Sequence, residues 1–506
     1  MKRSQIFLTL ILTGCFIISS CVSKKDQNPR ERISINDDWK FFKYATMDEA
    51  DDLIYDVRPE EEVEYQDNQD ADTRPTEALV AIAEQEILKP WILPTGNAFI
   101  RDPAKRHRRP EAKDGATPGA DFPFVQGDFD DSKWESLDLP HDWGIEGPFL
   151  QGWEAEVGGG MARLASHGVA WYRKKLNIPA EDQGRQIYLD IDGAMSYAMV
   201  WINGHLAGGW PYGYNSFRID LTPYVSFGGE NQLAIRIDNP PKSSRWYPGG
   251  GIYRNVWLVK THQLHVAQWG SYVRTPEVSK EEALIELSLV LENHKSSELT
   301  ADLISSVFYL DAAGNKSGRA VASIRTEGVV IEAGGTQEIQ ASTMLKKPKL
   351  WGPAPTQEAN LYLAETEVIT EGQVVDRYRT RFGIRSLVFD AEKGLFVNGE
   401  HIIFKGANQH HDLGALGAAF NTRAAERQLE VLQEMGCNSI RMAHNPPARE
   451  LLELCDEMGF LVIDEIYDVW ERKKTPFDFH LVFPDWWEQD ARAFIRRDRN
   501  HPSVIM

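Results

Sequence analysis

The alternation of apolar and polar positions changes texture three times along the chain. From Phe129 to Leu258, short runs alternate in hydrophobicity with turn residues between them. Gly168-Val-Ala-Trp-Tyr-Arg173, Gln186-Ile-Tyr-Leu-Asp-Ile191, Ala198-Met-Val-Trp-Ile-Asn203 and Gln232-Leu-Ala-Ile-Arg-Ile237 are examples. A period of two is that of a pleated strand. Asn203-Gly204 signals a hairpin, because both central residues of a type I′ turn need positive φ. This region predicts a β-sandwich of the jelly-roll kind. Upstream, Ile33 to Phe42 reads as a further strand. Between about 45 and 125 the periodicity is weak: an acidic run from Asp48 to about Asp72, a helical segment around Thr76 to Leu88 and a basic patch from Lys105 to Arg109. That stretch reads as an insertion decorating the sandwich.

Residues 263 to 388 keep the all-β texture with different spacing. His265 to Val273, Ala283 to Leu291, Asp302 to Tyr309, Gln337 to Ser342 and Tyr362 to Ile369 are strand candidates. About seven strands in this length suit an immunoglobulin-like sandwich. At Phe389 the texture shifts to strand–helix alternation. Leu395-Phe-Val-Asn-Gly399 reads as a hairpin and His401-Ile-Ile-Phe-Lys-Gly406 as a buried strand. Ala424 to Met435, Ala448 to Met458 and Trp486 to Arg497 read as helices; Asn438 to Met442, Leu461 to Asp464 and Ser503 to Met506 as strands. This alternation predicts a parallel sheet, either a (β/α)8 barrel or an open doubly wound sheet. A barrel needs ~250 residues and about 110 are present, so a barrel would stop inside its fourth strand.

The N-terminus changes the picture of where the chain resides. Lys2 and Arg3 precede a short apolar run, Ile6 to Ser20, closed by Lys24 and Lys25. This is an export signal rather than a membrane span. Ile18-Ser-Ser-Cys21 resembles a bacterial lipoprotein processing site. The expectation is a signal over 1–21, lipidation at Cys21, and a location in the periplasm or at the outer membrane. Leu12-Thr-Gly-Cys15 is a competing reading of the same kind. Domains are then expected over 22–262, 263–388 and 389–506. Cys437 and Cys455 form neither a metal motif nor a disulfide framework and are expected as buried free thiols. The net charge of −20 excludes nucleic acid as a partner and leaves the lipid anchor as the membrane contact. The 15 Trp and 16 Tyr suit sugar stacking as well as sandwich cores.

Ligands bind at the C-terminal ends of strands in parallel βα folds. Polar residues gather at three such ends: Asn408, Gln409, His410, His411 and Asp412; Arg441, His444 and Asn445; Asp464, Glu465, Asp468 and Trp470. Three successive ends carrying His, Arg and carboxylates should converge on one pocket. His410-His411-Asp412 with His444 offers metal donors, but adjacent residues at a strand end point in different directions. No Gly-x-Ser-x-Gly elbow and no nucleotide-binding glycine fingerprint follows a strand. Gly158-Gly-Gly160 and Gly249-Gly-Gly251 read as tight loops.

These residues match a known family. Leu139-Pro-His-Asp-Trp143, preceded by Trp134, resembles the sugar-binding-like N-terminal domain of glycoside hydrolase family 2. Ser244-Arg-Trp-Tyr-Pro-Gly249 running to Gly251-Ile-Tyr-Arg-Asn-Val-Trp257 resembles that domain's end. Phe382-Gly-Ile-Arg385 resembles the exit from the immunoglobulin-like domain. Lys405-Gly-Ala-Asn408, Arg441-Met-Ala-His444-Asn445-Pro446 and Asp464-Glu465 resemble the first three barrel strands. Arg497-Asp-Arg-Asn-His-Pro-Ser-Val504 resembles the run into the fourth. The resemblance covers 31–44 and 128–506.

It implies a jelly roll, an immunoglobulin-like sandwich and the first part of a TIM barrel. It implies a retaining, exo-acting β-glycosidase, most like a β-galactosidase, working by double displacement between two carboxyl groups ~5–5.5 Å apart. The acid/base and nucleophile Glu of the family would follow Met506, so no catalytic residue is expected within these residues and the fragment alone is expected to be inactive. His410, Arg441 and His444, with Asn445, Asp464, Glu465, Asp468 and Trp470, are expected as the binding and supporting shell. Some family β-galactosidases hold magnesium through a Glu-x-His segment after the third strand. Here that stretch reads Ile466-Tyr-Asp-Val-Trp470, so no cofactor is expected. The substrate is expected to be a β-linked oligosaccharide or glycoside, and a second copy of the chain is a candidate partner. Alternatives are a β-glucuronidase or β-mannosidase of the same family, or a non-catalytic carbohydrate-binding protein.

Overall fold

A computed structural model describes residues 29–46, 49–51, 119–150, 163–472, 474–475 and 477–506, without the side chains of Pro484 and Asp485. The expected export signal with Cys15 and Cys21, the helix expected around Thr76 to Leu88, the basic patch Lys105 to Arg109 and the loop expected at Gly158–Gly160 lie outside the described residues.

The first unit is a two-sheet antiparallel sandwich. One sheet orders its six strands Glu135–Leu137, Trp39–Lys43, Gly168–Ile178, Gly229–Asn239, Ala198–Ile202 and His205–Trp210; the other orders four, Glu31–Ser34, Val256–Thr261, Gln186–Ile191 and Phe217–Asp220. The single strand expected over Ile33 to Phe42 is therefore two, one in each sheet. The chain breaks at Asn36-Asp37-Asp38, where Asp38 takes φ 55°, a conformation an aspartate tolerates because its short polar side chain bonds locally. The expected hairpin forms with Asn203 at φ 50° and Gly204 at φ 80°. Trp39, Trp171, Trp201 and Trp210 are fully buried, and Trp171 stacks on Phe122 at 5.3 Å between centroids.

The second unit is an immunoglobulin-like sandwich with seven strands. Leu264–Arg274, Glu282–Asn293 and Thr336–Lys346 form one sheet; Lys316–Ile331, Leu299–Leu310, Tyr362–Thr370 and Gln373–Phe382 form the other in that order. Periodicity found five of the seven. Lys316–Ile331 escaped because most of its residues are exposed, so no apolar alternation marks it. Asp376 ties this unit back to the first: it accepts from Arg30 Nε and Nη2 at 2.8 Å each and from the Val266 backbone at 2.8 Å.

The third unit opens with an antiparallel hairpin, Gly394–Val397 against Glu400–Ile402, turned at Asn398 and Gly399. The buried strand expected over His401 to Gly406 is divided. Glu400–Ile402 closes that small sheet, Ile403 and Phe404 are exposed, and Gly406–Gln409 is the first parallel strand. It pairs with Ser439–Met442, which pairs with Leu461–Ile463. A parallel bridge from Val462 to Val504 adds a fourth position. Neighbours follow chain order without reversal, as in a barrel; a doubly wound sheet would switch direction. The described part is the beginning of a TIM barrel. Helices Thr422–Glu434, Arg449–Met458 and Phe483–Asp498 join these strands. Asn421 caps the first through its side chain, which accepts from the Ala424 backbone, and Gly459 ends the second at φ 74°. Cys437 is half-buried, Cys455 is buried, and both are free thiols.

The first sandwich and the barrel start share one core. Leu481, Val482, Trp486 and Ala493, from the third helix and the turn before it, join the apolar cluster of the first sandwich. Asp142 of the Leu139–Trp143 motif pins the joint. Its carboxylate accepts from the backbones of Gly144, Gly250 and Ala418 at 3.0, 3.0 and 2.8 Å and from the Tyr247 hydroxyl at 2.8 Å. Gly250 must be glycine: a Cβ there would lie 2.4 Å from the Trp143 ring and 2.5 Å from the Ser166 carbonyl.

Candidate active site at the ends of the parallel strands

The C-terminal ends of the first two strands and the segment after the third bring His410, Arg441, His444, Glu465 and Asp468 together. Arg441 is the hub. Its Nε and Nη2 donate to the two Glu465 oxygens at 2.6 and 2.9 Å, a bidentate pair whose partners are about a third and a quarter exposed. Its Nη1 reaches Asn408 at 3.2 Å, and Nη2 also donates to His444 Nδ1 at 3.1 Å. A guanidinium only donates, so His444 Nδ1 is the acceptor and the neutral ring carries its proton on Nε2. Burial lowers the His444 pKa, with Arg441 and His410 acting in the same sense against the raising effect of Asp468. The ring is therefore a neutral Nε2–H donor near neutral pH.

The first sandwich reaches into this cluster. The Trp246 ring lies 5.9 Å from His410 and 5.3 Å from His444, and the two imidazoles meet edge to face at 5.5 Å. Arg245 Nη2 donates to Asp468 at 2.7 Å, and Lys474 donates to the same oxygen at 2.7 Å. Burial pushes the Asp468 carboxyl up, but the hydrogen bonds from Arg245 and Lys474 prevail and hold it below the ordinary carboxylate range. Arg245, Trp246 and Lys474 were not among the expected site residues. Arg245 and Trp246 stand in Ser244-Arg-Trp-Tyr-Pro-Gly249, which sequence reasoning took as a domain end. The apolar recess behind Asp468, lined by Tyr197, Tyr212, Tyr214, Trp246 and Phe479, shows that this segment is part of the wall.

Asn445 is buried beside the cluster, and its side-chain Nδ2 has no hydrogen-bond partner. The loop carrying it is locked from behind: Arg254 donates to the carbonyls of Pro446 and Pro447, and Arg497 to that of Pro447. Trp470 is 65% exposed and parallel to Phe483 at 6.3 Å, an aromatic face supported from one side. Asp464 is not brought to the group. Burial and the neighbouring Asp498 carboxyl push its own carboxyl well above the ordinary range. His411 likewise diverges from His410. It bonds the Pro248 carbonyl at 3.0 Å and packs edge-on to Tyr214, so the two adjacent histidines serve different surroundings.

A roomier cavity of about 420 Å³ lies elsewhere, where the three units meet. Its arginines are matched by carboxylates, Arg218 with Asp190 and Arg497 with Asp498 among them, so it is an ion-paired seam.

Three family models match in succession: residues 137–248 the glycosyl hydrolase 2 galactose-binding domain-like model, 265–385 the glycosyl hydrolases family 2 model, and 390–506 its TIM barrel domain. Among curated proteins, the chain is 45% identical over 396 residues to beta-galactosidase BoGH2A of Bacteroides ovatus, covering 76% of this chain and 45% of that protein. It is 34% identical over 386 residues to a putative beta-glucuronidase of Formosa agariphila, covering 76% and 35%. Among solved structures, a glycosyl hydrolase family 2 member from Bacteroides cellulosilyticus aligns with TM-score 0.70 and 34% identity over 76% of this chain and 48% of that one. A beta-glycosidase from Bacteroides vulgatus aligns with TM-score 0.70 and 27% identity over 94% and 50%. The chain thus spans about half the length, or less, of the relatives it matches. Three models of one family, met in order along one chain with the expected folds, lead to one conclusion: the protein belongs to glycosyl hydrolase family 2.

Proposed function

We propose that these residues are the front part of a retaining, exo-acting β-glycosidase that removes terminal β-galactosides from oligosaccharides. The observation that carries the reading is the meeting of His410, Arg441, His444 and Glu465 from the strand ends with Trp246 in one cluster of directional donors. The His444 Nε2–H and the remaining Arg441 donor are suited to sugar hydroxyls, or to carboxylates that approach them, and Asn445 is buried behind them. Trp246 and the exposed Trp470 face are suited to a sugar ring. The double displacement would use two carboxyl groups from the sequence following residue 506, one as acid/base and one as nucleophile. Arg441 would then divide its charge between Glu465 and the nucleophile, favouring the ionised form of both. No cofactor is assigned to this pocket. Export and anchoring through a lipidated Cys21, with the enzyme in the periplasm or at the outer membrane, complete the reading, and self-association is open to it.

The 45% identity to a protein named beta-galactosidase supports the choice of sugar. A second reading, β-glucuronidase, is supported by the 34% identity to a protein named putative beta-glucuronidase and by two cations, Arg245 and Lys474, held at the wall on Asp468. Kinetics of the complete enzyme on aryl β-galactoside, β-glucuronide and β-mannoside decide between them. Galactoside should give the highest kcat/KM; preference for the glucuronide would replace the first reading by the second. The isolated 506 residues should turn over none of the three, and turnover by the pure fragment would overturn the assignment of the catalytic pair.

A further inference from the structure

Where the second sandwich leaves the first, His265, Glu292 and His294 bring three ligand atoms within 4.8 Å of one another. His265 opens the strand Leu264–Arg274; Glu292 and His294 sit at the end of its neighbour, Glu282–Asn293. The two rings are parallel, 5.3 Å apart. His265 is fully buried, and its Nδ1 lies 2.7 Å from the His262 carbonyl. A carbonyl only accepts, so Nδ1 carries the hydrogen and the neutral ring presents a bare lone pair at Nε2. That Nε2 has no hydrogen-bond partner. It faces another acceptor, Glu292 Oε2, at 3.4 Å. His294 Nε2 lies 3.5 Å from the same oxygen.

Acceptors facing one another repel unless a cation lies between them, the more so where one of them, His265, is fully buried and Glu292 is about a third exposed. A proton on His265 is one solution, but burial disfavours the charged ring. A metal ion is the other. Four-coordinate zinc with bonds of ~2.0–2.1 Å separates its ligands by roughly 3.3–3.4 Å, close to the two nitrogen–oxygen spacings here, 3.4 and 3.5 Å. Two imidazole nitrogens and one carboxylate oxygen suit zinc or another late divalent transition metal better than calcium or magnesium, which take oxygen donors. The Tyr188 hydroxyl of the first sandwich, 3.3 Å from His294 Nε2, stands beside the remaining position.

We propose that His265, Glu292 and His294 form a binding site for one divalent transition metal ion, zinc by donor preference, at the joint between the two sandwiches. The three donors belong to the second sandwich and Tyr188 to the first, so a bound ion would stiffen that joint.

The test uses the full chain stripped with EDTA and titrated with zinc chloride by calorimetry, followed by melting with and without zinc. One zinc per chain and a raised melting temperature are expected. His294→Gln removes a partly exposed ligand and should fold; Glu292→Gln removes the shared carboxylate. Each should weaken zinc binding by more than about 100-fold, since loss of a direct ligand exceeds the 10–100-fold seen for outer-shell groups. His401→Gln, an exposed histidine outside the cluster, should bind as the parent does. Equal affinity in parent and His294→Gln overturns the proposal. X-ray absorption of the parent zinc complex needs no variant: two imidazoles in the shell support the site, and oxygen donors alone overturn it.

Discussion

The two sandwiches share a fold class and differ in how their sheets meet the rest of the molecule. In the second, Glu282–Asn293 alternates buried and half-exposed residues along its length, the signature of a sheet with one face on its own core and one outward. In the first, Gln186–Ile191 and Ala198–Ile202 are buried at every position. Their second faces are covered by loops and by the beginning of the barrel, whose third helix inserts Trp486 against Trp210 at 5.0 Å. A sheet buried on both sides is a docking surface, and the domain that docks barrel elements also supplies Arg245 and Trp246 to the candidate site. The immunoglobulin-like unit supplies no side chain to that cluster among the described residues.

The comparison can be broken most forcefully at the shared core. Trp210 stacks on Phe217, and its Nε1 donates to the buried Asp490 carboxyl at 2.7 Å. Trp210→Ala should cost about 3–5 kcal/mol and loosen first sandwich and barrel start together. Hydrogen exchange should show protection lost in both and kept in the second sandwich; loss confined to one unit would deny the shared core. Next comes Arg254, fully buried and donating to the carbonyls of Tyr214, Pro446 and Pro447 at 2.9, 2.8 and 3.2 Å. Arg254→Met removes the side-chain donor of the Tyr214 and Pro446 carbonyls, while Pro447 keeps Arg497, and should cost about 2 kcal/mol, read as a shift in the denaturation midpoint.

Acid probes the same joint. Burial lowers His141 and His411 from the ordinary 6.5 to about 4, so the unfolded chain takes up protons there before the folded one does. Their contribution is full above pH 6.5 and is lost as the pH falls from 6.5 through about 4. His501 works in the opposite sense: burial lowers its pKa but the Asp456 carboxylate at 2.6 Å outweighs it, so its contribution is full below pH 6.5 and lost on the alkaline side. Urea midpoints at pH 7 and pH 5 should show net acid weakening, reduced in His411→Gln; an unchanged slope in that variant would count against a neutral buried His411.

A smaller effect is expected at the site. Arg245→Met frees Asp468 from one of its cations and should lower kcat/KM of the complete enzyme about tenfold, roughly 1.4 kcal/mol. An unchanged value would remove the first sandwich from the binding wall. The smallest effect belongs to the outward face of the second sandwich. Val330→Thr, at a position 47% exposed, should change stability by less than about 0.5 kcal/mol.

Much of the fold was legible because each element follows a local rule. Asn203-Gly204 and Asn398-Gly399 carry hairpin turns, the 3.6-residue periodicity marks the helices, and chain-order pairing follows from strand–helix alternation. The meeting of polar residues at the strand ends was legible because side chains there have a fixed direction, and His410, Arg441, His444, Glu465 and Asp468 do meet. Lys316–Ile331 was not legible, since an exposed strand has no apolar period. The break at Asp38 and the division of the expected strand over His401 to Gly406 were missed because both are settled by which sheet edge is available.

The sequence by itself determined three consecutive units, their order, the polar strand ends that meet and the family motifs on them. Only the tertiary structure decided that Asp464 leaves that group for Asp498, that Arg245 and Trp246 enter it from another domain, and that His265, Glu292 and His294 close on one another. Periodicity records what a residue does within its own strand or helix. It carries no record of contacts between residues hundreds of positions apart, where burial, charge pairing and the loss of water set which side chains meet.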